Sequence, residues 1–173
     1  MNANMRTIEQ IKSLAPEQSN GSVVKIDGDL WYKIENYDSI PPFFMTITSS
    51  SDIWNFIWSS GALSAGRKDA SFAIFPYYTS DKIDDFKNQA GPFTAIKIKA
   101  ADSTYYWEPF ATTPSFKVKR NIYKNSAGSH IIFEEINTEL NLTFKQEWTS
   151  SAKYGLVRIA RIINNGPDSQ QIQ

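Results

Sequence analysis

The stretch Pro41–Tyr78, PPFFMTITSSSDIWNFIWSSGALSAGRKDASFAIFPYY, decides the fold class. It reads as strand, turn, strand, a Gly-rich loop carrying Arg67, strand, and then the aromatic pair Tyr77 and Tyr78. Phe43, Met45 and Ile47 alternate with Thr46 and Thr48, the period that sends successive side chains to opposite faces of a strand. Ile53-Trp-Asn-Phe-Ile-Trp58 differs, because Trp54, Phe56 and Trp58 share one face while Ile53 and Ile57 share the other. A strand apolar on both faces should be covered twice. It is either central in a sandwich whose outer face is also packed, or it lies at a domain interface, since a row of exposed large aromatics is an adhesive patch.

Period two continues on both sides. Leu30, Tyr32 and Ile34 alternate with Trp31, Lys33 and Glu35, and Asp27-Gly28 is a hairpin signal linking them back to Val23–Ile26. Leu140, Leu142, Phe144 and Trp148 alternate with Asn141, Thr143, Lys145 and Glu147, a half-buried strand. Pro41-Pro42, Gly61, Gly66, Gly91-Pro92, Gly128 and Gly166-Pro167 punctuate the runs. Parallel sheets carry continuous apolar runs and crossover helices, and between Val23 and Ile163 there is no room for several of these. The expected fold is an all-β antiparallel sandwich.

A short helix is expected at the start: Thr7 caps it with Gln10 in capping-box position, Ile8, Ile11 and Leu14 form its stripe, and Pro16 stops it. Residues 1–22 then form a leader and linker, and 23–173 the sandwich. Asp81 to Asn88 can make one or two helical turns. At the other end Tyr154–Ile163 is a long apolar strand and Asn164-Asn-Gly-Pro-Asp168 a hairpin turn, leaving Ser169–Gln173 as the return arm. An open apolar edge of that length predicts a sandwich incomplete at its C-terminus.

Composition narrows the function. At 173 residues the chain accommodates one domain. Its 41% hydrophobic and 14% aromatic content excludes a disordered chain. Lys and Arg, 18 together, balance 18 Asp and Glu, without the basic excess of a nucleic-acid or membrane-surface binder. Cysteine is absent, which excludes disulfides and thiolate metal sites. The N-terminus has no apolar signal region, no run approaches the ~20 apolar residues of a membrane span, and a cytoplasmic location is expected.

Few residues point to chemistry. His130 is the single histidine, expected as a strand-end or surface residue, and Gly61-Ala-Leu-Ser64-Ala-Gly66 lacks the spacing of a nucleophile elbow. Asp81, Asp84 and Asp85 do not match a calcium loop. Glu134 and Glu135, adjacent on a strand, leave on opposite faces and cannot make the facing carboxylate pair of a glycosidase. Glu108 follows Tyr105-Tyr-Trp107, where aromatics can stack on sugar rings; the alternative is a structural hydrogen-bond acceptor. Ser60–Arg67 is no P-loop: it is either a β-turn with positive-φ glycines or a loop delivering Arg67 to an oxyanion or sugar hydroxyl. Lys117, Lys119 and Arg120 read as a solvated sheet face. No catalytic residue, metal or cofactor is expected.

PPFFMTITSSSDIWNFIWSSGALSAGRKDASFAIFPYYTSDKI followed by TYYWEPF resembles the N-terminal region of cellobiose-phosphorylase-like proteins (glycoside hydrolase family 94 and its relatives). The matching stations are Gly61 to Arg67, Phe75 to Tyr78 and Tyr105 to Pro109, and YGLVRIARIINNGPDSQQIQ is similar to a strand-turn-strand pair of the same domain. The resemblance covers residues 23–173. It implies a galactose-mutarotase-like super-sandwich preceding an (α/α)6 barrel that carries the general acid and the phosphate site. The sandwich itself would be non-catalytic and would support sugar binding. Arg67, Tyr77, Tyr78, Trp107 and Glu108 become candidate substrate-binding residues. The implied partners are a sugar or oligosaccharide, the barrel and a homodimeric subunit, with no nucleic acid and no membrane. Alternatives are a free-standing carbohydrate-binding module and a structural interaction domain.

Overall fold

A computed structural model describes residues 17–75, 77, 79–85, 91–100 and 103–173. The expected helix over 7–16 lies outside them. Among the described residues the chain is all-β and every strand pair is antiparallel.

The larger layer has six strands. β1 (Asn20–Ile26) and β2 (Asp29–Glu35) form the N-terminal hairpin. Its turn residues Asp27 and Gly28 have φ of 50° and 92°, the left-handed pair whose twist suits a two-residue hairpin. β9 (Val118–Asn125), β10 (Ile131–Asn137), β11 (Leu142–Ser151) and β12 (Gly155–Asn164) complete the order β1-β2-β9-β10-β11-β12.

Two smaller sheets oppose it. β3 (Phe44–Thr46), β4 (Ile53–Trp58), β5 (Leu63–Arg67) and β6 (Ala73–Phe75) form one in that order. β7 (Ile96–Ala100), β8 (Ser103–Trp107) and β13 (Gln171–Ile172) form the other, with β7 in the middle. Met45, Ile57, Leu63 and Ala65 pack with Ile122, Ile131, Phe133 and Trp148 between the first sheet and the large one. Ile96, Ile98 and Trp107 pack with Leu142 and Phe144 under the second. Phe110, on the loop after β8, reaches both cores, its ring 6.1 Å from that of Phe133 and 5.9 Å from that of Phe144. The arrangement is an antiparallel β-sandwich.

The doubly apolar strand is central in its sheet. Ile53, Asn55 and Ile57 of β4 are buried and Trp54, Phe56 and Trp58 half-buried. The chain after β6 returns over this region: Tyr77 meets Trp54 edge-on at 5.5 Å, and the short helix α1 (Ser80–Asp85) packs on β4 and β5 with Ile83 buried. Of the two glycines read as positive-φ turn residues, Gly61 has φ of 90° but Gly66 lies inside β5. Gly66 is there for clearance, since a Cβ would stand 2.5 Å from Trp54 Cζ2.

The C-terminal turn departs from the expected hairpin. Asn164 Oδ1 accepts from Gly166 N at 3.0 Å and Asn164 Nδ2 donates to the Asp168 carbonyl at 2.7 Å. The chain then crosses to the opposite layer, where Gln171 and Ile172 pair with Lys99 and Ile98 of β7. β12 keeps β11 as its one neighbour among the described strands. No described helix is long and apolar enough to cross a membrane.

Candidate ligand cleft

Strand alternation builds the site. Ile122 of β9 and Phe133 of β10 point into the sandwich, so Arg120 and Glu135, two residues along each strand, point inward as well and face each other. Arg120 Nε donates to Glu135 Oε2 at 2.7 Å, and both side chains are buried. Glu135 Oε2 also accepts from the Phe110 amide at 2.8 Å, and Oε1 from the Trp107 indole at 2.7 Å. Arg120 donates a further bond to the Ala111 carbonyl at 2.7 Å and has Asp38 at 3.8 Å. One buried ion pair therefore ties the loop after β8 to the middle of the large sheet. Arg120 is a correction to the sequence reading, which put it on a solvated face with Lys117 and Lys119.

Above this pair lies a cleft of about 700 Å³. Its walls are the 3-10 turn Tyr37–Ser39 with Pro42, the β4–β5 turn at 59–61, the segment 91–94 and the loop 108–112, with Arg120, Phe133 and Gln146 at the base. Asp38, Glu108, Thr94 and Gln146 are among its polar lining residues. Phe93, 73% exposed, stands on the wall beside Thr94. Arg158 of β12 fixes that wall, donating to Thr94 Oγ1 at 2.6 Å and Gln146 Oε1 at 2.8 Å. Glu108 also lines a second cleft of about 260 Å³.

Burial and neighbouring charges compete in the electrostatics of the site. Burial raises the Asp38 carboxyl above the ordinary aspartate value, although the Arg120 charge pulls the other way. It raises the Tyr37 hydroxyl strongly. Burial alone would lower Arg120, but Glu135, Tyr37 and Asp38 outweigh it, so the guanidinium stays charged. Arg158 is lowered by burial.

The residues singled out from the sequence separate into two groups. Glu108 is exposed at the cleft, and its carboxylate has no hydrogen bond or ion pair among the described residues. Trp107 directly precedes it but is 2% exposed and spends its N–H on Glu135, so it presents no face to a sugar. Arg67 ends β5, with Nε 3.3 Å from Asp52 Oδ1 and an η-nitrogen 3.4 Å from the Ala152 carbonyl. Tyr77 is 55% exposed beside Trp54, away from the cleft. Tyr78 lies outside the described residues.

The two adjacent glutamates do leave on opposite faces. Glu134, outward, accepts from Asn121 at 2.7 Å and Tyr123 at 2.8 Å and pairs with Lys145 at 2.8 Å. His130, immediately before β10, pairs through Nδ1 with Glu147 at 2.8 Å. No cluster of three or more His, Cys, Asp or Glu among the described residues is placed to hold a metal.

Sequence reasoning missed Asp38, Thr94, Gln146 and Arg120. For Arg120 a signal existed: it has the same parity as Ile122, just as Glu135 has that of Phe133. Comparison with known protein families and with curated proteins finds no match for this chain.

Proposed function

We propose that this chain is the non-catalytic sandwich of a carbohydrate-active protein of the cellobiose-phosphorylase type, and that the cleft at Glu108 takes a sugar. The observation that carries this reading is the convergence of Asp38, Glu108, Thr94 and Gln146 beside the exposed ring of Phe93 in one cleft of about 700 Å³. A pyranose presents hydroxyls that bond to fixed carboxylate, amide and hydroxyl groups, and C–H faces that pack on rings. Concave sites with a few convergent polar groups are the usual form of small-ligand sites. The resemblance of residues 23–173 to the family's N-terminal region supports the same assignment. On this reading the bond-breaking chemistry belongs to an (α/α)6 barrel of the same cytoplasmic protein, and the sandwich is of the super-sandwich type.

Titration of cello-oligosaccharides into the 173-residue chain, followed by calorimetry, tests it. Saturable binding is expected, weakened by Glu108→Gln and by Phe93→Ala with the fold unchanged by circular dichroism. Absence of heat with every cello-oligosaccharide, or binding indifferent to both substitutions, rejects the assignment.

The reading as an interaction domain is favoured by one other observation. Phe44, Phe56 and Trp54 form a row on the four-stranded sheet, with successive ring centroids 5.7 Å apart, and Phe44 is 41% exposed. It requires silence in the glycan titration together with loss of a partner domain's binding in Phe44→Asp.

A further inference from the structure

The smaller cleft, of about 260 Å³, adjoins the one assigned to a sugar, and one buried ion pair contributes to both. Arg120 stands at the base of the larger cleft and Glu135 lines the smaller, with Nε and Oε2 2.7 Å apart. Glu108 and Ala111 line both clefts. A ligand bound at Glu108 can therefore extend into either.

Strand alternation sets the chemistry of the smaller cleft. Tyr105 and Trp107 of β8 pack on the core beneath their sheet, so Tyr106 between them faces outward and is 67% exposed. Lys97, its cross-strand partner on β7, sets Nζ 6.0 Å from the centre of the Tyr106 ring. Thr113 and Ser115, on the loop between β8 and β9, also line the cleft and are exposed. Phe116 holds that loop against β8, its ring 6.5 Å from that of Tyr105. The hydroxyls of Tyr106, Thr113 and Ser115 make no hydrogen bond among the described residues, and neither does the Glu108 carboxylate. An exposed aromatic ring among polar groups that the fold itself does not use is the composition of a small-ligand site.

We propose that the smaller cleft is a second sugar subsite, and that the ligand is a neutral oligosaccharide passing over Glu108 from one cleft into the other. Consecutive pyranoses present hydroxyls on both sides of a glycosidic oxygen, and a carboxylate with two acceptor oxygens takes a bond from each. Tyr106 packs on the C–H face of the second ring, while Thr113 and Ser115 bond to its hydroxyls. Neutrality follows from the charges at hand. Arg120 is the one cation among the described residues lining either cleft, and Glu135 and Asp38 already meet its charge. A uronate or a sugar phosphate would stand beside Glu108 with no counter-charge among those lining residues. The inference rests on the sugar reading of the larger cleft and adds to it a minimum ligand length.

Calorimetric titration of the full 173-residue chain with cellobiose and with cellotetraose tests it. The wild type should bind the tetrasaccharide more tightly, and Tyr106→Ala should shrink that gain about three- to tenfold, the range of a lost aromatic contact. Tyr106→Phe, which keeps the ring, should retain most of the gain. Ser115→Ala, at an exposed loop position of the same cleft, should reduce the gain as well and serves if Tyr106→Ala does not fold. Equal affinity for the two sugars in the wild type overturns the proposal, as does a gain indifferent to both Tyr106→Ala and Ser115→Ala. In either event, cellobiose binding that Phe93→Ala weakens leaves the assignment of the larger cleft standing. Absence of binding by both sugars removes the two together.

Discussion

Arg120 and Glu135 face each other across β9 and β10 with Nε 2.7 Å from Oε2, and each is buried. A buried carboxylate in that position is tolerable because both its oxygens are bonded: besides Arg120, the same side chain receives Trp107 Nε1 and the Phe110 amide. Phe110 holds a left-handed φ of 65°, unfavourable for a side chain of its size, and its amide bond to Glu135 anchors it there. The loop that bears Glu108 is thus pinned from below.

Glu135→Leu strands the buried guanidinium, the indole and the amide together. It should cost about 3–5 kcal/mol in urea unfolding, and Arg120→Met in the same chain should return most of that loss. If Glu135→Leu unfolds at the wild-type urea midpoint, the pair does not hold the loop.

Gly66→Ala should be destabilising by about 1–3 kcal/mol, the range for overpacking. The new methyl would meet Trp54 Cζ2 at 2.5 Å, the Phe72 carbonyl at 2.7 Å and Ala73 Cα at 2.8 Å. Two of these are backbone atoms, so trimming the indole with Trp54→Leu should not rescue it. Thermal unfolding of the single and double variants decides.

Acid sensitivity should centre on Glu134. Burial alone would raise its carboxyl, but bonds from Asn121, Lys145 and Tyr123 prevail and hold it below the ordinary value of 4.5. The unfolded chain then takes up this proton at a higher pH than the folded chain does. The stabilisation is complete above 4.5 and is lost as pH falls from there through the folded value. Urea midpoints measured against pH should drop across that window, and Glu134→Gln should flatten the drop. Asp38 has the opposite sign: burial raises it above 3.8, so its contribution declines as pH rises through its folded value.

Asn55 is 2% exposed, and neither its Oδ1 nor its Nδ2 has a hydrogen-bond partner among the described residues. Leucine has nearly the same shape and carries no desolvation penalty, so Asn55→Leu should stabilise the chain by about 1–3 kcal/mol. Loss of stability instead would mean that a polar group reaches this amide in solution.

The strands were largely legible from local pattern. Side chains alternate across a pleated backbone, so Leu142, Phe144 and Trp148 declare their buried face, and Asp27-Gly28 declares its turn through the positive φ both residues must adopt. The same alternation separated Glu134 from Glu135, and it would have turned Arg120 inward had Ile122 been used to set the phase.

Tertiary placement was beyond that pattern. Trp107 and Glu108 are neighbours in sequence, yet one fills a core and the other faces a cleft, because strand β8 ends between them. Asp38, Thr94 and Gln146 converge from segments far apart along the chain. Nothing local marks which of the two layers will receive Gln171–Ile172 after the turn at Gly166. Most strands, most of their buried faces and the Asp27-Gly28 turn were readable along the chain, since these follow from neighbouring residues and backbone sterics. Sheet order, the buried Arg120–Glu135 pair and the shape of the cleft were decided only by the tertiary structure, because they depend on which distant surfaces exclude water from one another.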